Sequence, residues 1–113
     1  MDCVFCKIRD GELPAEFEYR DDHVMVFKDL NPVAPYHYLV VPTEHIESIN
    51  QAGAAAAESL TNLFLAAEHV AKKLGFEKNG YRCVINTGAN AGQVVMHLHM
   101  HLLAGREFSW PPG

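Results

Sequence analysis

Residues 97–103 read His-Leu-His-Met-His-Leu-Leu, so a histidine alternates with an apolar residue three times in succession. Successive side chains of a β-strand point to opposite faces, and alternate side chains therefore share a face. We predict a strand over residues 94–103 whose Leu98, Met100 and Leu102 enter the core. The three imidazoles would then line the other face, about 7 Å apart.

Outward from this segment, the chain carries further strand patterns and one long helix pattern. β-branched and aromatic residues bounded by turn residues favour strands, and apolar residues recurring at intervals of three and four favour a helix. The predicted elements are a strand at 23–27 within 17–29, a strand at 36–41, a helix at 53–74, a strand at 81–86 and a polar loop at 87–92. This order predicts an α+β fold with a mainly antiparallel sheet, in a single domain over 1–113.

Composition and charge limit the classes of partner. The 113 residues are 49% hydrophobic and 20% charged, which is typical of a globular protein. A formal net charge of −5 argues against a nucleic-acid polymer or an anionic membrane as partner. Without a basic start followed by an apolar run, and with three cysteines that form no disulfide framework, the sequence favours a cytoplasmic protein.

Three interpretations of the histidines compete. They can be a solvated cluster, a metal site made by all three rings, or the seat of nucleophilic catalysis in which a neutral ring nitrogen attacks an electrophile. Asn86, the glycine-bearing loop at 88–92 and Gln93 come just before the histidines. Backbone N–H groups of glycine loops and amide side chains bind phosphate without fixed charge, which favours the catalytic interpretation.

The run from Gly92 to Leu103 resembles the signature of the histidine-triad (HIT) family, His-x-His-x-His with apolar x. The ending, Gly105-Arg106 followed by Trp110-Pro111-Pro112-Gly113, is similar to the Hint branch of purine nucleoside phosphoramidases. This resemblance implies a HIT-like fold with an antiparallel sheet of about five strands, one long and one short helix, and a homodimer. It also implies a purine nucleotide as substrate.

The resemblance implies roles for individual residues. His99 matches the family nucleophile, His101 matches the histidine that binds the phosphate oxygens, and His37 matches an active-site supporting residue. The remaining matches are Asn86, Gly92 and Gln93 at the phosphate, Asp29 at the ribose, Phe5, Phe27 and Leu30 beside the base, and Trp110, which closes the partner subunit's pocket.

The implied activity is hydrolysis of nucleoside phosphoramidates or adenosine monophosphate conjugates through a nucleotidyl-histidine intermediate. The alternatives are a dinucleoside polyphosphate hydrolase and a nucleotide-binding regulatory protein with incidental activity. One position departs from the branch, which commonly has a serine two residues after the glycine, where this chain has Val94. Because valine cannot donate a hydrogen bond, this departure bears on which leaving group the enzyme prefers.

Cys3-x-x-Cys6 can be a redox pair, half of a zinc site, or two unrelated thiols. A redox motif is expected in a thioredoxin-like pattern, which the sequence lacks. The family resemblance implies a structural zinc held by Cys3, Cys6, His45 and His97, with a pair of free thiols as the alternative, and it implies no catalytic metal.

Overall fold

The computed structural model describes residues 2–113. Its helices are α1 (Val4–Arg9), α2 (Ile49–Ala52) and α3 (Ala57–Leu74), and its strands are β1 (Phe17–Arg20), β2 (Val24–Lys28), β3 (Tyr36–Pro42), β4 (Tyr81–Val84) and β5 (Met100–Ala104). Two short 3-10 turns, Ala54–Ala56 and Ala89–Ala91, precede α3 and β5. None of the helices in the described part of the chain is long and apolar enough to cross a membrane.

The five strands form one antiparallel sheet in the order β1-β2-β3-β5-β4. The predicted α+β class with about five antiparallel strands is therefore confirmed. The central strands are built from Val, Met, Tyr and Leu and are almost wholly buried. In the pairing of β3 with β5, His37 lies opposite Leu103 and Leu39 lies opposite His101, which fixes two of the histidines on neighbouring strands.

The two faces of the sheet carry different helices. On one face α3 buries a stripe that includes Leu63, Ala67 and Val70 against β2 and β3. On the other face, α1 supplies Phe5 to a smaller cluster with Met25 and other side chains of the sheet. The main core therefore lies between α3 and the sheet, and the α1 face, with its smaller cluster, has room for a functional site.

The boundaries of α3 follow local chemistry. The helix predicted at 53–74 begins at Ala57, because Gly53 has φ +65° and a 3-10 turn follows it. Its end is as predicted, with Gly75 in the left-handed conformation and its N–H donating to the carbonyl of Ala71. Lys72 and Lys73 lie in the last turn, where positive charges interact favourably with the negative end of the helix dipole.

The predicted strand at 94–103 is wrong over its first half, since β5 begins only at Met100. By the antiparallel register, Leu98 would face Pro42, which has no N–H to donate to a ladder. The chain leaves the sheet there, and the N–H of Leu98 donates instead to the carbonyl of Ile46, 2.6 Å away. The histidine segment is therefore half loop and half strand.

Three smaller expectations also need correction. The strand predicted at 81–86 ends at Val84. The segment at 17–29 contains two strands, β1 and β2, because Asp21 accepts hydrogen bonds from the backbone of His23 and Val24 and so forms a turn between them. The resemblance implied one short helix, whereas the described chain has two, α1 and α2.

Candidate active site

A cavity of about 590 Å³ opens on the α1 face of the sheet. It brings together side chains from α1, β2, β3 and β5 together with the loop before β5. Seven of the residues predicted to bind the nucleotide or to take part in catalysis line it, namely Phe5, Phe27, Asp29, Leu30, His37, His99 and His101. The histidines thus lie in the same depression as the predicted nucleoside contacts.

The tautomer of His99 follows from its hydrogen bond. Its Nδ1 lies 2.8 Å from the carbonyl oxygen of His97, and a carbonyl can only accept, so Nδ1 carries the proton. In the neutral ring the lone pair is therefore on the other nitrogen, Nε2. The ring is 8% exposed and packs edge-on against Phe5, with ring centroids 5.1 Å apart. The hydrogen bond thus selects the tautomer in which Nε2 is the nitrogen free to attack.

His37 and His101 form a hydrogen-bonded chain that fixes both of their tautomers. The backbone N–H of Val33 donates to Nδ1 of His37 over 3.1 Å, so the proton of a neutral His37 must be on Nε2. Nε2 in turn donates to Nδ1 of His101, 2.9 Å away. The proton of a neutral His101 is therefore on its own Nε2, a donor with no partner among residues 2–113.

The electrostatics of this chain keep both rings neutral near pH 7. Burial lowers the pKa of His37 below its usual range, and the nearby Asp29 carboxylate opposes that shift. Burial also lowers the pKa of His101, and the positive charges that His99 and His37 can acquire lower it further. With both rings neutral and both tautomers fixed, every hydrogen bond of the chain is donated in the same direction, from Val33 through His37 to His101.

Asp29, His37 and His101 place ligand-type atoms within 4.8 Å of one another, as a metal site would. The tautomers argue against that use. Nε2 of His37, which lies 3.3 Å from Oδ2 of Asp29, carries the proton because Val33 donates to the other nitrogen. A metal needs a lone pair there. The arrangement is that of a hydrogen-bonded support for His101.

A second cluster, the Cys/His cluster, consists of Cys3, Cys6, His45 and His97, with ligand atoms within 4.8 Å of one another. The measured separations are 3.3 Å from Cys3 Sγ to His97 Nδ1, 3.5 Å from Cys6 Sγ to His45 Nδ1 and 3.1 Å between the two Nδ1 atoms. Ligands at tetrahedral zinc distances are separated by roughly 3.3–3.8 Å. Two sulfurs and two nitrogens at this spacing can hold a metal ion.

His97 connects the Cys/His cluster to the cavity. Its Nε2 donates to the carbonyl of Pro42 at 2.9 Å, which leaves Nδ1 as the lone pair facing the cysteines. Burial lowers the pKa of His97 to about 4, so the ring is neutral, as a ligand must be. The backbone carbonyl of His97 also accepts a hydrogen bond from the protonated Nδ1 of His99.

The expected row of three imidazoles on one strand face is therefore wrong. His97 and His99 precede β5, and only His101 lies in it. The rings of His99 and His101 share the cavity, with centroids 5.2 Å apart, whereas His97 is fully buried beside the cysteines.

Four residues predicted at the site do not line this cavity: Asn86, Gly92, Gln93 and Trp110. The Gln93 amide donates to the carbonyls of Glu47 and Val95, and its oxygen accepts from the N–H of Gly88, so it braces the loop. Trp110 is 82% exposed. The phosphate and partner-pocket roles of these four residues stay predictions.

The sequence reasoning missed the apolar walls of the cavity, which are formed by Val4, Ile8, Leu39 and Val95. Val4 and Ile8 are one helical turn apart on α1. A segment of six helical residues is too short to show a clear periodicity, so the only signal was the spacing of these two residues.

Comparison with known proteins decides the family. The sequence profile of the HIT domain matches residues 10–108, which is most of the chain. The chain belongs to the HIT family. The resemblance seen in the histidine segment is thereby confirmed for the family, whereas the assignment to one branch stays a prediction.

Relatives of this HIT protein match it along almost the whole chain. An uncharacterized HIT-like protein of Synechocystis sp. is 46% identical, over 99% of this chain and 97% of its own. The crystal structure of a HIT family hydrolase from Legionella pneumophila is 42% identical, with a TM-score of 0.97 over 99% of this chain and 100% of its own. A histidine triad nucleotide-binding protein from Candida albicans is 29% identical, with a TM-score of 0.84 over 97% and 83%.

Proposed function

We propose that this HIT protein is a hydrolase that cleaves the phosphorus bond of a purine nucleoside phosphoramidate or a related adenosine monophosphate conjugate. The observation that carries the proposal is the pair of opposite tautomers in one cavity, a free lone pair on His99 Nε2 beside a free donor on His101 Nε2. The similarity to a protein described as a hydrolase and to one described as nucleotide-binding supports it.

In the proposed first step, His99 Nε2 attacks phosphorus and a nitrogen–phosphorus bond forms. The bond from phosphorus to the leaving group breaks, and its electron pair departs with that group. His101 Nε2–H donates to a phosphoryl oxygen and stabilises its negative charge in the transition state. Because the His97 carbonyl accepts from Nδ1 of His99, it stabilises the positive charge that develops on the attacking ring.

In the second step, water attacks the nucleotidyl-imidazole. A phosphorus–oxygen bond forms, the nitrogen–phosphorus bond breaks with its electron pair returning to His99, and water loses a proton to solvent. The product is the nucleoside monophosphate, and the imidazole returns to its starting tautomer. Neither step requires a catalytic metal, since the attacking and stabilising groups belong to the chain.

The nucleoside would lie at the other end of the cavity. Phe5 and Phe27, with ring centroids 5.7 Å apart, offer apolar surface to a base, and Leu30 lies at the rim with 94% exposure. Asp29 Oδ1 accepts from the N–H of Asn31 at 2.8 Å and keeps further lone pairs for ribose hydroxyls.

We also propose that the Cys/His cluster binds a structural zinc ion. A closed set of two sulfurs and two nitrogens leaves no open coordination position, which fits a structural role. When bound, the metal would supply a crosslink between α1, the loop after β3 and the segment before His99. The donation from His97 Nε2 to Pro42 orients one ligand ring, as in other zinc sites.

A homodimer is the proposed assembly. The end strand β4 has an unpaired edge in the single chain, and α3 exposes Phe64 and Leu65 to more than half of their surface. Such an edge and such a patch are typical of surfaces that a second copy covers. Light scattering at micromolar concentration would show twice the mass of the chain, whereas a monomer would overturn this assembly.

The test of the activity uses adenosine phosphoramidate as substrate and adenosine monophosphate release as readout. We expect His99→Ala to lower kcat by at least roughly 1,000-fold, because the attacking group is lost. His23→Ala, which removes an exposed histidine outside the cavity, is the matched control and should keep wild-type activity. Wild-type protein that binds adenosine monophosphate without turnover would contradict the hydrolase proposal and favour the regulatory alternative.

A further inference from the structure

The Cys/His cluster is reached from solvent through two cavities outside the candidate active site. One of them, of about 250 Å³, has Cys6 and His45 in its lining. The other, of about 450 Å³, has Cys3 and His45 in its lining. Both spaces are far larger than the roughly 10–15 Å³ that a water molecule needs, so a molecule as small as a peroxide can enter them.

The two sulfur atoms lie side by side. They are 3.3 and 3.7 Å from the same nitrogen, Nδ1 of His97, and within 4.8 Å of each other. Cys3 is the N-cap of α1, and Cys6 follows three residues later with its N–H donating to Cys3 Sγ at 3.4 Å. Cα atoms at this spacing in a helix are about 5 Å apart, and a disulfide needs roughly 4.4–6.8 Å. A disulfide therefore fits once the first turn of α1 adjusts.

The two cysteines differ in access to solvent. Cys6 is partly exposed, whereas Cys3 is only 6% exposed. Oxidation of thiols follows thiolate character and exposure, and buried cysteines are inert. Cys6 is thus placed to meet an oxidant first, with Cys3 behind it.

We propose that Cys3 and Cys6 form a thiol modification site, at which a peroxide converts the pair to a disulfide, removes two ligands from the Cys/His cluster and displaces Phe5 from His99. Cys6 is the residue that the peroxide attacks, and Cys3 resolves the oxidised sulfur. This inference does not rest on the hydrolase function. Only the loss of a bound metal ion rests on the structural zinc proposed above.

The reaction has two steps. The Cys6 thiolate attacks one peroxide oxygen, a sulfur–oxygen bond forms, the oxygen–oxygen bond breaks, and the second oxygen leaves as hydroxide. The Cys3 thiolate then attacks the Cys6 sulfur, the sulfur–sulfur bond forms, and the sulfur–oxygen bond breaks to release a second hydroxide. The two sulfurs lose two electrons in total, and the two peroxide oxygens gain them.

Phe5 connects the cysteines to the candidate active site. It lies between them in the chain and is 5% exposed. Its ring centroid is 5.7 Å from that of His97 and 5.1 Å from that of His99, with edge-on packing in both contacts. Because a disulfide draws Cys6 toward Cys3, it changes the turn of α1 that holds Phe5 against His99. The redox state of the pair is therefore transmitted to the histidine proposed to attack phosphorus.

The experiment uses the full chain with Cys83→Ser, which removes the exposed cysteine outside the cluster. Reduced protein is freed of reductant and treated with hydrogen peroxide. Mass mapping after alkylation identifies the disulfide, a chromogenic chelator measures released zinc, and dimedone traps sulfenic acid. Cys3→Ser and Cys6→Ser, each added to this protein, separate the roles of the two cysteines.

We expect an intramolecular disulfide between Cys3 and Cys6, together with release of the zinc that the reduced protein holds. Cys3→Ser should accumulate dimedone adduct on Cys6, and Cys6→Ser should give at least about tenfold less adduct on Cys3, because a buried thiol reacts slowly. If a serine variant does not fold, dimedone added during a short peroxide pulse of the Cys83→Ser protein compares the same two sulfurs. Overoxidation of Cys6 without a disulfide, or equal labelling of the two sulfurs, would overturn the inference. A disulfide formed in protein that never held zinc would support it and count against the zinc proposal alone.

Diethyl pyrocarbonate, which acylates neutral imidazole, tests the link to His99 without a nucleotide. We expect His99 to react at least about threefold faster in the disulfide form, since it loses the cover of Phe5. The exposed His23 is the reference in the same sample. Phe5→Ala should already react at the faster rate when reduced and should gain little on oxidation. An unchanged rate at His99, or an undiminished gain in Phe5→Ala, would overturn the link through Phe5.

Discussion

At the residue scale, each ring of the triad segment has its proton placed by a different neighbour. The carbonyl of Pro42 accepts from Nε2 of His97, and the carbonyl of His97 accepts from Nδ1 of His99. His101 has its proton placed by His37. The result is one lone pair toward the cysteines, one lone pair toward the cavity and one donor toward the cavity.

His37 is a positioning residue in this account, and its replacement separates its hydrogen bond from its bulk. His37→Gln places an amide nitrogen near the original Nε2 and can still donate to His101, whereas His37→Met cannot. We expect kcat to fall about tenfold more in His37→Met than in His37→Gln, which corresponds to one hydrogen bond. Equal losses in the two variants would show that His37 only fills space.

The lowered pKa values predict acid sensitivity. Burial keeps His37 and His101 neutral in the folded protein, whereas the unfolded chain protonates them below a pH of about 6.5. The unfolded chain therefore binds more protons as the pH falls, and the free energy of unfolding decreases from pH 7 to pH 5.5.

His37→Gln removes one of the buried histidines whose pKa is lowered and should make this decrease smaller. Urea unfolding of both proteins at the two pH values measures the difference, and acid effects at the cysteines cancel in the comparison because both proteins contain them. A decrease of the same size in the variant would contradict the assignment of His37 as a buried neutral ring.

At the scale of elements, the sequence predicts the helices and strands whose bounds depend on their own hydrophobic pattern. The helix ending at Leu74 and the strand at β3 have long periodic patterns and a Gly or Pro at the end, and both were predicted to within a few residues. The loop at 94–99 was not, because its alternation suits a strand while its partner residue, Pro42, ends the ladder. Such a conflict between local pattern and pairing is visible only once the register is known.

Gly105, directly after β5, is predicted to require glycine. Its φ is +96°, and a Cβ there would lie 2.7 Å from Cβ of Pro35. Gly105→Ala should lower the free energy of unfolding by more than the roughly 1–2 kcal/mol of left-handed strain alone. Gly11→Ala, with φ +80° and no atom within 4 Å, carries only the strain and is the matched control. Urea unfolding that gives equal losses would show that the contact with Pro35 relaxes.

At the scale of the whole molecule, the candidate site depends on segments that are distant in sequence. Cys3 and Cys6 come from the N-terminal end, His45 from the loop after β3 and His97 from the segment before β5. The sequence suggested this set only through the family resemblance, since spacing alone left a redox pair and free thiols open. The Asp29, His37 and His101 chain likewise depends on register, because His37 lies two residues before Leu39, the partner of His101, and so shares a sheet face with it.

Loss of the proposed zinc ion should destabilise the protein as a whole. We expect Cys6→Ser to lower the Tm by at least about 5 °C and to reduce the zinc content of the purified protein. Cys83→Ser replaces an exposed cysteine outside the cluster and should change neither quantity. Wild-type protein without zinc, or a Cys6→Ser variant with wild-type Tm, would contradict the structural zinc proposal.

The central claim is that Nε2 of His99 forms a covalent bond to phosphorus. The most direct measurement is rapid acid-free quenching of the protein with an adenosine monophosphate conjugate, followed by intact-mass detection and fragment mapping of the adduct. We expect one adenylyl group per chain, located on His99 and absent from His99→Ala. An adduct on His101, or turnover without any adduct on the protein, would contradict it.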